Sequence, residues 1–440
     1  MKKIYRSLPG WTYTSDAFFE LEKTELILKN WQLVCHISNV PNAGDFFTFE
    51  IFNERIFVIR DKDSNVEAFH NFCSHRGTKL INEISGTCNG KITCPYHAWG
   101  YDFNGNLTKV PHAEQFKNLN KKDHGLQKVE LEIFQGFIFV KLKKSDVPSV
   151  NEQFSPYINE IEQYRLEEMR PLGRVTMRPR RVNWKQIADN YVDALHIPIA
   201  HPGLSNLVGK SYGVEVSNNN GYVHKMWGDG SNIRKDNLSN MLYDKFLPYM
   251  DHLPDNKQRY WLYYRLWPNL AFDIYPEQMD FMQFIPIDAQ TTMIREIAYA
   301  LPDDRREVKA AQYLNWRINR QVNDEDTKLI NWVQEGMNTN NFQTGPLAET
   351  EICLIDSANK IRNSIPVASI TVCFGCRSPF FSASLIMLEA NLSFTDPPGL
   401  KYSAFTYKLM FFGAVLLTLI TGVLPIELNK SLNIIVCIFD

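Results

Sequence analysis

At 440 residues, with 44% apolar and 22% charged side chains, the chain is long enough for roughly two or three domains. That composition excludes a disordered chain, a collagen and a coiled-coil rod. A net charge of −2, from 47 basic and 49 acidic residues, offers nucleic acid no attracting field, and no nucleic-acid partner is expected.

The N-terminus, MKKIYRSLPGW, is basic, but no apolar run follows it, so it does not read as a signal peptide. A reducing cytoplasm is the expected compartment, where clustered Cys and His point to metal rather than disulfides. Ser15 to Asn30 has helical spacing of Phe18, Phe19, Leu21, Leu26 and Ile27, giving an N-terminal helical segment over 1–30. From Trp31 to about residue 145 the pattern turns to short β runs, DFFTFEIF, RIFVIRD and GFIFVKL, separated by Gly, Asn and Asp. The polar stretch KKSDVPSVNEQ links this all-β domain to a second one over 150–368. There NWKQIADNYVDALH reads as a helix stopping at Pro198 and Pro202, RYWLYYRLW and FMQFIPI read as strands, and a long helix runs from about Asp303 to Met337. The fold class is α+β, an all-β domain preceding an α+β domain. Over 369–440 only 8 of the 72 residues are charged, and this hydrophobic tail reads as a separate object. Within it Leu409–Ile426 has no charge, which is just enough for a membrane span; a buried segment and an atypical C-terminus are the other readings.

Two mixed pairs carry the first chemistry: Cys73-Ser74-His75 and Cys94-Pro95-Tyr96-His97. A structural zinc finger usually separates its Cys pair from its His pair. In a Rieske centre two Cys hold one iron of a 2Fe–2S cluster and two His hold the other, so each loop gives one ligand to each iron. Asn104-Gly105 after the second loop is a preferred type I′ turn pair. Cys88 and Cys35 read as bystanders. The stretch resembles the Rieske domain of aromatic-ring-hydroxylating, Rieske non-haem iron oxygenases. Respiratory Rieske proteins usually carry two further Cys, and Thr78 and Tyr96 stand in their places here.

The second constellation is Asp189-Asn190-Tyr-Val-Asp193-Ala-Leu-His196, followed by His201-Pro202. On a continuous helix five residues turn roughly 500°, so His196 and His201 would diverge by about 140°. A break at the prolines lets His201 swing back, while Asp193 and His196 share a face. Two His need a carboxylate to complete a facial triad with open positions for O2 and substrate. On the long helix, Ala311, Leu314, Ile318, Val322, Leu329 and Val333 form an apolar stripe, with Asp326 roughly 40° from its centre and Glu325 about 60° away on the other side. Periodicity alone does not separate the two acids. The segment resembles the family pattern Asn/Glu-x-x-Asp-x-x-His-x4-His, and EDTKLINWVQEG resembles the family's acid motif. The resemblance implies His196, His201 and Asp326 as ligands of a mononuclear iron, and Asn190 and Asp193 as catalytic. Asp193 would bridge an iron ligand and a Rieske His of a neighbouring subunit.

With no nucleotide or flavin fingerprint, electrons must come from outside. The resemblance, over about residues 5–368, implies a terminal oxygenase with one Rieske cluster and one non-haem Fe(II) per chain. It further implies O2 as co-substrate and NAD(P)H acting through a separate flavin/iron–sulfur reductase, with or without a ferredoxin. It also implies a homotrimer, a START-like helix-grip catalytic domain and an N-terminal segment packed on it. LPGWTY, FHNFCSHRG and HPGL are similar to the glycine betaine, choline and carnitine branch. Trp227, Tyr260, Trp261, Tyr263, Tyr264, Trp267 and Tyr275 read either as strand core or as a cation-binding pocket wall. Hydroxylation or N-dealkylation of a small amine and aromatic ring hydroxylation both stay open. The alternative outside the enzymes is a Rieske electron-transfer protein with a degenerate second domain.

Overall fold

The computed structural model describes residues 4–208, 212–218, 221–230, 238–339 and 341–365, together with the backbone of short strands beyond 367. Leu409–Ile426, apart from Ile426, lies outside the described residues, and no helix among the described residues is long and apolar enough to cross a membrane.

The β runs of the first half build three small antiparallel sheets. Asp45–Ile51 and Glu54–Arg60 pair, with Val66–His70 and Ser85–Thr87 on the outside. Ile92–Thr93, Gly100–Tyr101 and Leu107–Lys109 form the second sheet, and Gln32–His36 joins the hairpin Glu130–Lys141 in the third. The two Cys–His loops leave from the first and second sheets, so strand packing sets their separation. Phe57, Phe69, Trp99, Tyr101 and Leu107 bury one cluster around both Cys73 and Cys94. The turn after the second loop differs from the type I′ expectation. Only Gly105 takes a positive φ (83°), while Gly105 N bonds to Asp102 O at 3.1 Å. That is a type I turn followed by a left-handed residue. Glycine is required there, because a Cβ would meet the Phe69 ring at 2.4 Å.

The second half is an antiparallel sheet whose central strands run Thr291–Ala300, Met279–Asp288, Leu270–Ile274, Tyr260–Leu266, Val223–Asp229 and Gly213–Val216. Thr176–Arg180 pairs with Thr291–Ala300. Apart from Arg259 and Arg265, RYWLYYRLW is apolar or aromatic because both faces of its strand are covered. Trp261 and Tyr263 pack with Ala311, Leu314 and Ile318 of the long helix Arg306–Met337. Leu262, Tyr264 and Leu266 pack on the other side with Phe137, Phe139 and Phe154. A helix laid across a curved antiparallel sheet is the helix-grip arrangement.

Ser15 caps Asp16–Leu21 by accepting from Phe18 N, and the helix continues as a π turn over Glu22–Ile27. This segment locks the helix Trp184–Val192 from outside. Lys185 Nζ donates to Glu22 Oε1 at 2.6 Å, and Tyr13 OH donates to Asp189 at 2.8 Å. Lys185 and Glu22 are almost wholly buried, at 1% and 0% side-chain exposure. A buried pair contributes little net stability, but removing one partner strands the other charge. Glu22→Gln should therefore lower unfolding stability by about 3–5 kcal/mol, whereas Glu22→Met with Lys185→Met should cost much less. Denaturant unfolding of the two variants checks this.

Candidate metal centres and the substrate cavity

The two cluster loops share one frame although their spacings differ. Cys73 N bonds to Thr78 O (2.8 Å) and Gly77 N to Cys73 O (2.9 Å); Cys94 N bonds to Trp99 O (2.8 Å) and Ala98 N to Cys94 O (3.0 Å). In both loops the fourth residue after the Cys, Gly77 or Ala98, takes a positive φ. The frames bring His75 and His97 edge to face, 4.8 Å between ring centres, and Trp99 stacks on His75 at 4.7 Å. Cys73 and Cys94 are buried. Burial pushes the Cys73 thiol up, and neighbouring Cys94 raises it further against the Tyr101 hydroxyl, 3.1 Å from Cys73 Sγ. Burial and the facing His97 hold His75 down, keeping its imidazole neutral.

His75 Nδ1 is buried without any hydrogen-bond partner. An orphaned imidazole nitrogen beside two buried thiols fits a metal-binding donor set. Among the described residues, only His196, His201 and Asp326 bring three such ligand atoms within 4.8 Å of one another. Cys73, His75, Cys94 and His97, one Cys and one His from each loop, suit a two-iron cluster with one ligand pair on each iron.

The mononuclear trio depends on a helix ending early. The proline expectation puts the break at Pro198 and Pro202; a break does fall at His201 (φ −122°, ψ 69°), directly before the helix that starts at Pro202, but the helix Trp184–Val192 has already ended before Asp193, whose backbone is extended (φ −80°, ψ 117°). Pro198 sits in the first turn of a new short helix, Ile197–Ala200, where its missing N–H costs nothing. Asp193 meets His196 through this turn, not along a helix face. It accepts from Leu195 N at 2.8 Å and lies 3.2 Å from His196 Nδ1. His196 and His201 end with ring centres 5.0 Å apart at 80°. Asp326 Oδ1 lies 2.8 Å from His201 Nε2 and 3.5 Å from His196 Nε2, and Asn190 Nδ2 donates to it at 3.1 Å.

The long helix separates its two acids cleanly. Ile330 and Gln334 are buried while Val333 is exposed, so the inward line runs 318, 322, 326, 330, 334 in steps of four, and the expected positions 329 and 333 fall beside it. Asp326 lies on that line. Glu325, one residue round, reaches the opposite nitrogen of the same ring, with Oε2 2.7 Å from His201 Nδ1. Sequence reasoning weighs Glu325 only as a rival ligand and misses this second position. Asp324 is solvent-facing beside Arg320.

Burial alone would lower both imidazoles, but hydrogen bonds to Asp193 and Asp326 carry His196 up to about 9. Burial would raise Asp326, yet the two imidazoles hold it down to about 2. A carboxylate facing two imidazoles that attract protons fits a cation site, with protons standing where the ion would be.

The trio opens into a cavity of about 630 Å³ between the sheet and the long helix. Of the seven aromatic residues considered for a pocket wall, only Tyr263 lines it; Trp261, Tyr264, Trp267 and Tyr275 are buried in the core. Tyr191 and Tyr212 line it instead, with Asp273 and Asp280.

Residues 30–128 match the Rieske [2Fe-2S] domain, and residues 161–365 match the catalytic domain of the ring hydroxylating alpha subunit. The chain belongs to the Rieske ring-hydroxylating oxygenases. It is therefore an oxidoreductase whose cofactors are a Rieske cluster and non-haem iron. The carnitine monooxygenase oxygenase subunit of Escherichia coli is 28% identical over 341 residues, covering 77% of this chain and 86% of that one. The chloroplastic choline monooxygenase of Atriplex hortensis is 27% identical over 342 residues, covering 77% and 73%. A quaternary ammonium Rieske monooxygenase solved with L-carnitine has the same fold, with TM-score 0.68 at 23% identity over 82% of this chain and 96% of that one. Naphthalene 1,2-dioxygenase from Rhodococcus sp. bound to indole follows with TM-score 0.62 at 17% identity, covering 82% and 94%.

The two acids should separate experimentally. Asp326→Ala should lose the mononuclear iron. Glu325→Gln should retain it with affinity weakened about 10–100-fold, as for a carboxylate that orients a ligand imidazole. Fe(II) titration of the apo variants checks both.

Proposed function

We propose that the chain is the terminal oxygenase of a Rieske system that hydroxylates or N-dealkylates a small amine cation with O2. Electrons would come from NAD(P)H through a separate flavin/iron–sulfur reductase, with or without a ferredoxin. The observation that carries this reading is the opening of the His196, His201 and Asp326 trio into a cavity whose wall includes Tyr191, Tyr212 and Tyr263 and the carboxylates of Asp273 and Asp280. An electron carrier needs neither the converged trio nor the cavity. Around Asp273 and Asp280, with Tyr191, Tyr212 and Tyr263 beside them, the wall suits a cationic guest better than a neutral aromatic ring, while Arg174, Arg178 and Arg320 line other parts of it.

Cys73 and Cys94 would hold one iron of the cluster, and His75 and His97 the other. The Tyr101 hydroxyl at Cys73 Sγ tunes that centre, since hydrogen bonds to ligand sulfur set its potential. His196, His201 and Asp326 would hold the mononuclear iron, which supplies O2 activation at its open positions. Asp193 and Glu325 keep the two imidazoles in the tautomer that presents Nε2 to the metal, and Asn190 steadies Asp326. The cavity wall holds substrate near the metal and excludes water. Hydroxylation consumes O2, two electrons and two protons and releases one water. At a carbon attached to nitrogen the resulting carbinolamine breaks its C–N bond: the hydroxyl proton is lost, the oxidised carbon leaves as an aldehyde, and the bonding pair stays on the dealkylated amine.

The working unit is proposed as a homotrimer in which one chain's cluster serves its neighbour's iron. Exposed apolar side chains flank both centres: Tyr96 between Cys94 and His97, and Leu195 and Ile199 beside Asp193 and His196. Head-to-tail packing would cover them. Co-assembling a Cys73→Ser chain with a His196→Ala chain tests this. Mixed trimers should recover part of the substrate-dependent O2 uptake that each parent lacks; no recovery would mean that electrons stay within one chain.

A further inference from the structure

The cavity wall opposite the long helix contains an arrangement that sheets normally avoid. Tyr263, Asp273 and Asp280 stand in one row across three neighbouring strands, with Asp273 directly opposite Asp280. Like charges at such positions destabilise an antiparallel pair, and a low-dielectric interior makes the repulsion worse. Both line the cavity.

The two acids are not equally supported. Asp273 accepts from Tyr191 OH at 2.5 Å and from Tyr275 OH at 3.5 Å. Asp280 is partly buried, lines the cavity, and accepts a hydrogen bond from no described residue. The cationic side chain that acts on it, Arg178, is committed to an ion pair with Glu296, while Arg320 on the long helix faces Asp324. A carboxylate on a cavity wall with no hydrogen-bond donor of its own is a place where a cation arriving from the cavity gains, although Arg174, Arg178 and Arg320 line other parts of the same wall.

We propose that the facing carboxylates of Asp273 and Asp280 are the subsite that receives the positive nitrogen of the substrate, selecting monocationic amines over neutral molecules of the same shape. This rests on the reading of the cavity as the substrate site. The rings of Tyr191, Tyr212 and Tyr263 line the same space, and a cationic head between tyrosine faces and carboxylates gains from both. Tyr191 also sets the distance to the chemistry: it follows Asn190 on the site helix and bonds Asp273, so one side chain spans from the metal side to the charge side. Burial moves both carboxyl groups upward, Asp273 to about 7 with nearby Glu296 adding to it, and Asp280 with Asp273 and Glu296 adding to it.

Anaerobic titration calorimetry on the full-length holoprotein tests the subsite. The probes are choline, L-carnitine and N,N-dimethylethanolamine, set against 3,3-dimethylbutan-1-ol, which replaces the charged nitrogen of choline with carbon. At least one cation should bind about ten-fold or more tightly than the neutral isostere. Asp280→Asn and Asp273→Asn should abolish that preference while iron content and cluster spectrum stay unchanged. Equal binding of cation and isostere, failure of every cation to bind, or an Asp280→Asn protein that keeps both metal centres and the full preference would each overturn the proposal. A protein that holds both centres and consumes O2 with a neutral substrate would keep the oxygenase reading and lose this one.

Discussion

Two imidazoles five residues apart must reach one carboxylate on a different helix, and much of the catalytic half is arranged around that demand. A regular helix cannot meet it, since His196 and His201 would point apart. The chain therefore leaves the helix at Asp193, turns through His196 and restarts at Ile197. The turn costs helical hydrogen bonds, and Asp193 replaces one by accepting from Leu195 N. The same carboxylate holds His196, so the device that breaks the helix also orients a site residue.

A broken helix needs outside support to hold its geometry. Asn183 caps the site helix and is itself bonded through its backbone N–H to Gln334 of the long helix at 2.9 Å. Gln334 lies two helical steps of four beyond Asp326, so one polar side chain ties the start of one element to the frame of the other. The N-terminal segment closes the far side with the Glu22–Lys185 pair and the Tyr13–Asp189 hydrogen bond. These buried polar links contribute more to position than to stability, which explains why such costly groups lie just behind the site.

Local spacing made the cluster loops readable from sequence. Cys73, His75, Cys94 and His97 carry their meaning within a few residues, and the structure gives both loops one frame. The trio was readable only in part. The helical period puts Glu325 and Asp326 at similar angles from an idealised stripe, and only the true inward line through Ile330 and Gln334 separates them. Pro202 marks a real break, at His201, but Pro198 does not, because it is as comfortable in a first helical turn as it is disruptive inside one, and no proline announces the earlier break at Asp193. The pocket wall was least readable. Alternation along Tyr260–Leu266 shows that faces differ but not which face is open, and the pairing of Asp273 with Asp280 exists only in the cross-strand register.

The central claim is that this chain carries a mononuclear iron in addition to its cluster. Iron and acid-labile sulfide, counted together on purified protein and on His201→Ala, test it most directly. About three irons and two sulfides per chain are expected, falling to two irons in the variant with the Rieske EPR signal intact. Two irons in both proteins, or zinc at either centre, would contradict it.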